Sequence, residues 1–476
     1  MNKAYITTAI PYLNGEPHVG HAMDFLLADI YARYLKSQDV DVKLQIGADE
    51  HGQKIANKAA ELGIDTQEFV DQNWASFKAF IDRLNRSYTD IVRTTDADHK
   101  RRTQEIWKKL ENHIYKSTYE GWYCEGCEAF VTQTEYEETK KTCPDHQNPY
   151  IKLTEENYYL RISEFKDRMT EAIESNQLQI IPEFRKREFL NLLKDMPDVS
   201  ISRPKSQLQW GIEVPDDDTQ VMYVWVDALS NYLTVIGYPE NDDYKDWWPA
   251  DVQVIGKDIL RFHAGIWPAM LLGLGLELPK RILTHGHITL NGEKMSKSLG
   301  NVVGPTEIMD KYGVEAFRYY FSRHVDTVND SDFTWDKMHN AYNGELKNDL
   351  GNLISRLATM CAKYEVGKPS AFVAYPPLNE YREYMDNFQF SSAIDLAWSQ
   401  IQHLNQEIDS KKPWALAKEN KTDELRSTLE DLINGILLAA AMLRPFLPET
   451  VEKIESIFDQ STITPPDSPL FPPIEA

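Results

Sequence analysis

The chain has 476 residues, of which 42% are hydrophobic and 26% charged, and its formal net charge is −23. This length predicts two to four domains, and this composition is typical of a soluble globular protein. The negative charge argues against a protein that binds nucleic acid non-specifically over a broad face, although it leaves room for a local basic surface.

Membrane insertion and secretion are both disfavoured. The longest apolar stretch, Ile259–Leu278, is interrupted by Arg261 and Glu277, whereas a membrane span needs roughly 18 apolar residues. The N-terminal sequence MNKAYITTAIPYL has no small-residue cleavage site. Three of the four cysteines lie within 20 residues, at Cys124, Cys127 and Cys143. That layout suits a metal site in a reducing compartment better than disulfides, so we expect a cytoplasmic location.

The first predicted elements alternate between strand and helix. Ala4–Ile10 is a β-branched run typical of a buried strand. The next apolar residues recur at helical spacing: Met23, Leu26, Leu27, Ile30, Tyr31 and Tyr34. Val42–Ile46 predicts a second strand, and a second helix ends near Leu62 with Gly63 as its C-cap. This order predicts an α/β fold with a Rossmann-like parallel sheet.

The alternation then breaks and later resumes. Cysteines, charges and short apolar runs predict an inserted domain, after which we expect strands at Val221–Val226 and Val252–Ile255 and a helix at Ile259–Leu274. Helical patterning then continues almost throughout, which predicts an all-α bundle followed by an extended proline-rich tail. The predicted order is the catalytic domain's first half, the insertion, the second half, the bundle and the tail: residues 1–114, 115–220, 221–336, 337–460 and 461–476.

Two histidines occur where the first strand's turn opens into a helix, in the sequence HVGH. His18 and His21 lie on one face of that first helical turn. Ligands of open parallel sheets bind at the carboxyl ends of strands, beside helix N-termini. Gly20 has no side chain, so a purine ring or a phosphate could approach the backbone. Alone, the motif is explained equally well as two polar residues near a helix start.

A second motif follows Asn291 and Gly292 and consists of Lys294, Met295, Ser296, Lys297 and Ser298. Two lysines three apart, with hydroxyls and glycines beside them, suit a mobile loop that grips a polyphosphate. An isolated pair of lysines is more often a solvated basic turn. Finding both motifs, in this order and at such junctions, predicts an ATP site.

HVGH followed by KMSKS resembles the class I aminoacyl-tRNA synthetases. Further segments resemble the methionyl-tRNA synthetases over nearly the whole chain: AIPYLNGEPHVGH, GADEHG, YVWVDAL, GKDILRFHAGIWPAM and NDLGNLISR. The resemblance implies that L-methionine is activated by ATP, with Mg²⁺, and loaded onto tRNA(Met), including the initiator. It also implies an ATP site in which the catalytic His18, His21, Lys294 and Lys297 surround the reacting phosphate, with Gly256 and Asp258 nearby.

The same resemblance implies a methionine pocket formed by Ile10, Tyr12, Asp49, Trp225, Ala228, Tyr232, Ile259, His263 and Trp267. Asp49 would offer its carboxylate to the substrate ammonium. Aromatic rings would contact the thioether sulfur. Taken singly, aromatic residues at these spacings are more often plain core. Since an apolar pocket distinguishes one methylene by only roughly 1–3 kcal/mol, shape and sulfur contacts must provide the selectivity.

A CxxC and CxxH array consists of Cys124, Cys127, Cys143 and His146. Two close pairs of soft ligands match the tetrahedral preference of zinc. All four positions are filled, so we expect one structural Zn²⁺ that shapes the insertion. The alternative is three unrelated buried cysteines. Cys361 falls in helical sequence and is expected to be an inert core residue.

The helical end carries residues that can contact unpaired bases. Asn352 and Arg356 lie four apart on one predicted helix, and Trp414 follows Pro413 at a helix start. The resemblance implies that they read the anticodon, with Asp409 as a weaker candidate. Without it, a solvated charge and a helix-start residue explain them better. A local basic patch is expected from Lys411, Lys412, Lys418 and Lys421.

Three other functions stay open on the sequence. They are a synthetase for another apolar amino acid, a small-molecule nucleotidyltransferase that shares the histidine motif, and a catalytically silent paralogue that binds tRNA. The large insertions of the Leu, Ile and Val enzymes disfavour the first, the helical end disfavours the second, and the intact ATP motifs disfavour the third. Because the chain ends soon after the helical bundle, we expect a monomer without membrane association.

Overall fold

The computed structural model describes residues 2–84, 87–124, 129–131, 133–144, 147–294, 303–369 and 378–474. Its strands are β1 (Lys3–Thr8), β2 (Asp41–Ala48), β3 (Asp90–Arg93), β4 (Ile114–Cys124), β5 (Ala129–Val131), β6 (Ile151–Leu160), β7 (Gln179–Ile181), β8 (Val199–Ser200), β9 (Ser202–Pro204), β10 (Glu213–Val214), β11 (Asp217–Met222), β12 (Val252–Gly256), β13 (Arg281–His285), β14 (Ile288–Leu290), β15 (Glu293–Lys294) and β16 (Ser331–Phe333).

Its helices are α1 (Val19–Lys36), α2 (Gln53–Leu62), α3 (Thr66–Leu84), α4 (Ala97–Lys109), α5 (Gln133–Glu138), α6 (Lys166–Glu174), α7 (Glu183–Asp195), α8 (Val224–Thr234), α9 (Trp267–Gly273), α10 (Pro305–Tyr312), α11 (Val314–Arg323), α12 (Trp335–Asn340), α13 (Asn352–Lys363), α14 (Asn379–Asp386), α15 (Phe390–Lys411), α16 (Pro413–Lys418), α17 (Thr422–Leu443) and α18 (Pro448–Phe458). None of the helices in the described ranges combines the length and the apolar character that crossing a bilayer requires.

The central sheet is parallel throughout, with the strand order β3-β2-β1-β12-β13-β7. Strands β2 and β3 lie on one side of β1, whereas β13 and β7 lie beyond β12. The order therefore reverses between β1 and β12. Ligands of open parallel sheets bind at such a switch point, at the carboxyl ends of the strands. The predicted α/β class with a parallel sheet is confirmed.

The sixth strand of this sheet comes from an unexpected part of the chain. β7 lies within residues 115–220, the predicted insertion, yet it pairs in parallel with β13 through Ile181 and Leu283. Three residues are too few to show a strand period, so no pattern in the sequence predicts this strand. The polypeptide of the predicted insertion thus returns to the central sheet before leaving it again.

The other strands of that region form two small antiparallel sheets, β5-β4-β6-β8 and β10-β11-β9. The predicted strand at Val221–Val226 is wrong beyond Met222, where β11 ends. Helix α8 starts at Val224, and every one of its residues from Val226 to Thr234 is buried. The β-branched residues that suggested a strand are overridden by packing on the body of the protein.

Two hydrophobic cores cover the central sheet. On β1, Ala4 and Ile6 face the first core while Tyr5 faces the second, as strand alternation requires. The first core packs α1, α3 and α11 on the sheet and continues without a break into the helical bundle. The second core packs α4, α6, α8 and α9 on the other face.

The helical C-terminal region is confirmed, since α12 to α18 and a π-helical segment, Ala341–Gly351, account for most of its described residues. The proline-rich tail packs back on this region. Phe471 is buried, with its ring 6.1 Å from that of Tyr342, and the Tyr342 hydroxyl donates to the Pro472 carbonyl at 2.8 Å. The tail therefore covers the π-helical segment that leads into α13.

Candidate active site

The predicted histidine pair opens helix α1. His18 is the N-cap: its Nδ1 accepts from the Gly20 N–H at 3.1 Å, and its own N–H donates to His21 Nδ1 at 3.3 Å. The two rings stack with their centroids 3.6 Å apart. This reciprocal cap holds both imidazoles at the positive end of the helix dipole, where an anionic ligand is favoured.

Gly20 is required by the cap itself. A Cβ at this position would lie 2.9 Å from Cε1 and Nδ1 of His18, which is too close for unbonded atoms. The sequence predicted that the missing side chain leaves room for ATP. The structure adds that it leaves room for the His18 ring.

Across the switch point, Gly256 at the end of β12 is paired with His285 at the end of β13. His285 Nε2 lies 3.1 Å from Oδ1 of Asp24, which belongs to α1. Burial alone would lower the pKa of His285, but the Asp24 carboxylate raises it above its ordinary value. Asp258 lies just beyond β12 and is exposed, with Oδ1 3.6 Å from His287 Nε2. Asp24 and His285 were not predicted as site residues, because a lone carboxylate within a helix and a histidine ending a strand carry no motif.

The lysine loop is described only at its start. Lys294 belongs to β15 and pairs with Thr289 of β14. The other predicted residues of this motif lie outside the described ranges: Met295, Ser296, Lys297 and Ser298. Because β14 follows β13 almost directly, the loop starts beside the carboxyl edge of the central sheet.

The predicted methionine residues come from four segments that share this edge. They are the segments after β1 and β2 (Ile10, Tyr12 and Asp49), helix α8 (Trp225, Ala228 and Tyr232) and the helical segment after β12 (Ile259, His263 and Trp267). The first two are joined at the backbone, where the Asp49 N–H donates to the Pro11 carbonyl at 2.9 Å and Tyr12 bridges to Asp49. The Tyr232 and Trp267 ring centroids lie 5.7 Å apart.

His263 links helix α8 to the segment after β12. Its Nδ1 lies 3.0 Å from the Ile259 carbonyl, which can only accept, so Nδ1 carries the proton and donates. Its Nε2 then accepts from the Tyr232 hydroxyl at 2.7 Å. Burial lowers the pKa of His263 to about 4. The ring is therefore neutral at pH 7, and the residues around it form an uncharged, mostly aromatic surface.

Trp225 has a partner that was not predicted. Its ring stacks on that of Phe262 with the centroids 3.6 Å apart and the planes at 10°. Phe262 lies next to His263 in the chain. The stacked rings of Trp225 and Phe262 are both partly exposed. A plain apolar residue in an apolar segment gave no signal of this role.

The predicted zinc ligands are described in part. Cys124 at the end of β4 and Cys143 after α5 are both buried and belong to one small cluster with Tyr150. Cys127 and His146 lie outside the described residues. No cluster of three or more metal-ligating side chains occurs among the residues that are described.

At the helical end the structure joins two of the four predicted residues. Arg356 Nη2 on α13 lies 2.8 Å from Asp409 Oδ1 on α15. Asn352 is exposed one turn earlier on α13. Trp414 follows Pro413 at the start of α16, and 39% of its surface is exposed, an unusual fraction for so large a ring.

The predicted basic patch beside Trp414 is partly offset. Lys411 Nζ lies 3.1 Å from a Glu407 carboxylate oxygen, and Lys421 Nζ lies 2.9 Å from one of Glu419. Both pairs are exposed or nearly so, where solvent screens them strongly. An anionic partner must therefore compete with Glu407 and Glu419 for the positive charge of Lys411 and Lys421.

Comparison with known proteins gives a consistent result. The family described as tRNA synthetases class I (M) matches residues 4–152 and 145–358. A methionine–tRNA ligase of Caldanaerobacter subterraneus subsp. tengcongensis is 42% identical over 478 residues, covering 97% of this chain and 74% of that one. The methionine–tRNA ligase of Thermotoga maritima is 39% identical over 470 residues, with 95% and 74% covered.

Solved structures agree with this. The methionyl-tRNA synthetase of Mycobacterium tuberculosis in complex with methionyl-adenylate superimposes with a TM-score of 0.93 at 34% identity, covering 99% of this chain and 100% of that one. The apo form of the same enzyme gives a TM-score of 0.86 at 31% identity, covering 100% and 99%. The likeness therefore extends over the central sheet, the antiparallel sheets and the helical bundle.

Proposed function

The chain belongs to the class I methionyl-tRNA synthetases, and from that premise we propose how its residues carry out the reaction of a methionine–tRNA ligase. The methionine carboxylate attacks the α-phosphorus of ATP, and methionyl-adenylate and pyrophosphate result. The 3′-terminal adenosine of tRNA(Met), initiator included, then takes the methionyl group and AMP leaves. The assignment of residues rests on one observation. The histidine cap of α1 and the Tyr232–His263 pair lie at the same edge of the central sheet.

The nucleotide binds between β1 and β12. His18 and His21, held by the cap of α1, face the α-phosphate, and Lys294 at the end of β15 and Lys297 in the loop after it bring positive charge. Gly256 and Asp258 lie beside the nucleoside, and Met295, Ser296 and Ser298 complete the loop. Phosphoryl chemistry of this kind needs positioning and charge stabilisation, which these groups supply. Mg²⁺ accompanies ATP.

Methionine binds between the segments after β1 and β2, helix α8 and the segment after β12. Asp49 pairs with the substrate ammonium. The neutral state of His263, which its two hydrogen bonds and the lowered pKa support, leaves no buried charge beside the thioether. Tyr12, Trp225, Tyr232 and Trp267 provide polarizable surfaces for the sulfur.

The anticodon is read at the helical end. Asn352 and Arg356 offer hydrogen bonds to base edges, and the exposed ring of Trp414 stacks on an unpaired base. The pairing of Arg356 with Asp409 supports placing Asp409 in the same site.

One structural zinc ion is held by Cys124, Cys127, Cys143 and His146. The described half of this set fits the ion, because both cysteines are buried in one cluster although they come from separate elements. The ion would fix the antiparallel insertion and take no part in chemistry. Metal analysis tests this: the expected zinc content is one per chain, falling in a Cys124→Ser variant.

ATP–pyrophosphate exchange with a panel of amino acids tests the proposed function. We expect exchange with methionine and not with leucine, isoleucine or valine, and a His21→Ala or Lys297→Ala variant should lose roughly 10²–10³-fold in rate with methionine affinity intact. Normal exchange in either variant would remove that residue from the catalytic set. The monomeric state and the cytoplasmic location stay predictions, which sedimentation and cell fractionation test.

A further inference from the structure

A buried carboxylate bridges two imidazoles beside the methionine site. Asp227 Oδ2 lies 2.6 Å from His51 Nδ1, and its Oδ1 lies 2.7 Å from His99 Nε2. All three side chains are almost fully buried, at 1% to 2% exposure. Burial would raise the pKa of Asp227, but the two histidines lower it to about 2. The group is therefore an anion held by two N–H donors.

The three residues come from three different elements. His51 belongs to the short segment between β2 and α2, two residues after Asp49. Asp227 belongs to α8, between Trp225 and Ala228 of the proposed pocket. His99 belongs to α4 and braces the far side, with its Nδ1 2.7 Å from Thr234 Oγ1. The bridge thus joins the segment that carries the proposed ammonium ligand to the helix that carries the aromatic side of the pocket.

Other residues also contact the segment from Asp49 to Gly52. Glu50 pairs with Arg93, whose Nε lies 2.6 Å from Oε1. Trp210 closes the segment from outside: its Nε1 donates to the Glu50 carbonyl at 2.6 Å, and its carbonyl accepts from the Gly52 N–H at 3.0 Å. His51 joins this segment to α8 through its contact with Asp227.

We propose that Asp227 is a positioning residue for methionine binding, which acts through His51 to fix Asp49 at a set distance from helix α8. This inference rests on the proposed role of Asp49 as the ligand of the substrate ammonium. A buried ion pair is a poor source of stability, because desolvation offsets most of its attraction. What it supplies is a fixed geometry between two elements, since each carboxylate oxygen has its own donor.

Conservative variants of the two histidines separate positioning from plain stability. His51 contacts Asp227 through Nδ1. The amide nitrogen of asparagine can take the place of Nδ1, whereas the amide nitrogen of glutamine lies further from the backbone. His99 contacts Asp227 through Nε2, so here glutamine keeps the donor and asparagine loses it. We therefore expect His51→Asn and His99→Gln to behave nearly as wild type, and His51→Gln and His99→Asn to be impaired. The two histidines should show opposite preferences for the same pair of replacements.

The measurement is ATP–pyrophosphate exchange of the full chain, with methionine and ATP varied separately, together with the thermal midpoint. Asp227→Asn, which offers one acceptor where two donors arrive, should raise the methionine KM roughly tenfold and leave the ATP KM unchanged. The matched control is Asp29→Asn: Asp29 is likewise fully buried and lies between two arginines, Arg33 at 2.8 Å and Arg318 at 2.7 Å, but it lies on the other face of the sheet. This control should lower the thermal midpoint without raising the methionine KM.

Three outcomes would overturn the positioning role. They are an unchanged methionine KM in Asp227→Asn, an equal rise in both KM values, and equal effects of asparagine and glutamine at each histidine. If Asp227→Asn does not fold, the histidine variants decide alone. Wild-type protein that fails to exchange with methionine would refute the proposed function and this inference together. Active wild-type protein with unaffected variants would refute the inference only.

Discussion

The two regions proposed to bind substrates differ most in how their side chains are exposed. Around the methionine site, Tyr232, His263 and Trp267 are buried and joined across the fold by hydrogen bonds and ring contacts. At the helical end, Asn352 is exposed and Trp414 keeps 39% of its surface in solvent. A small ligand is enclosed by preformed walls, whereas the bases of a nucleic acid arrive from outside and need rings and donors left open. Burial therefore has opposite functional meaning in the two regions.

Within this comparison of the two regions, the largest expected effect is at Asp49. Asp49→Ala removes the proposed partner of the substrate ammonium inside a buried site, where the loss of one member of a charge pair costs about 3 kcal/mol, or about 100-fold in affinity. We expect methionine kcat/KM in exchange to fall by that factor. Asp41→Ala is the matched control, because Asp41 is exposed at the far end of β2, the strand that Asp49 follows. Equal losses in the two variants would contradict the assignment.

The second effect is at Trp414 and concerns the other region. Trp414→Ala should leave ATP–pyrophosphate exchange unchanged and reduce tRNA charging roughly tenfold, since stacking of one base on an aromatic ring is worth about 1–3 kcal/mol. Phe184→Ala is the control, since Phe184 is similarly exposed, at 37%, but lies on α7. A parallel fall of exchange and charging in Trp414→Ala would show that the ring stabilises the fold and does not read tRNA.

The fold was predictable where a sequence period was long enough to detect. Helix α1 shows a helical apolar spacing over 18 residues and was predicted, as was the strand that precedes it. β7 has three residues and was missed. α8 was mistaken at its start for a strand, because its β-branched residues favour one locally while tertiary packing favours a helix. Such packing cannot be inferred from local composition.

The site was predictable where it follows the chain. His18 and His21 form a local motif, and the cap that orders them involves neighbours only. Asp227 and His51 are 176 positions apart, and Asp24 and His285 are 261 apart. No spacing rule links residues at such distances. Asp24 and His285 meet because parallel strands bring distant carboxyl ends to one edge of the sheet, whereas Asp227 meets His51 because α8 packs on the segment after β2.

The third prediction contrasts a buried histidine with an exposed one. His263 has a pKa of about 4 when folded and the ordinary value of 6.5 when unfolded. The unfolded chain therefore binds more protons between these values, so stability is fully present above pH 6.5 and falls as pH decreases toward 4. The slope contributed by this one group is at most about 1.4 kcal/mol per pH unit.

Denaturant unfolding at pH 7, 6 and 5 measures this slope. His263→Gln removes the titrating ring while its amide can still accept from Tyr232, so the free energy of unfolding should depend less on pH between 6.5 and 5 than in wild type. His403→Gln should leave the slope as it is, because the His403 side chain is 62% exposed on α15. An unchanged slope in His263→Gln would mean that the ring is hydrated and that the methionine site is not as closed as its contacts indicate.

The smallest effect is expected at Asp409. Its ion pair with Arg356 is largely exposed, at 33% and 67% for the two side chains, so Asp409→Ala should change the free energy of unfolding by less than about 1 kcal/mol. In the absence of tRNA the carboxylate keeps the guanidinium in one orientation, so its loss should lower tRNA charging only about twofold at low salt, where exposed charges are least screened. Arg356→Ala should reduce charging considerably more, because it removes the base-contacting group itself. Equal impairment of the two variants would mean that Asp409 contacts the anticodon directly. The side chains of the exposed helical end would then be held in place as firmly as those of the buried methionine site.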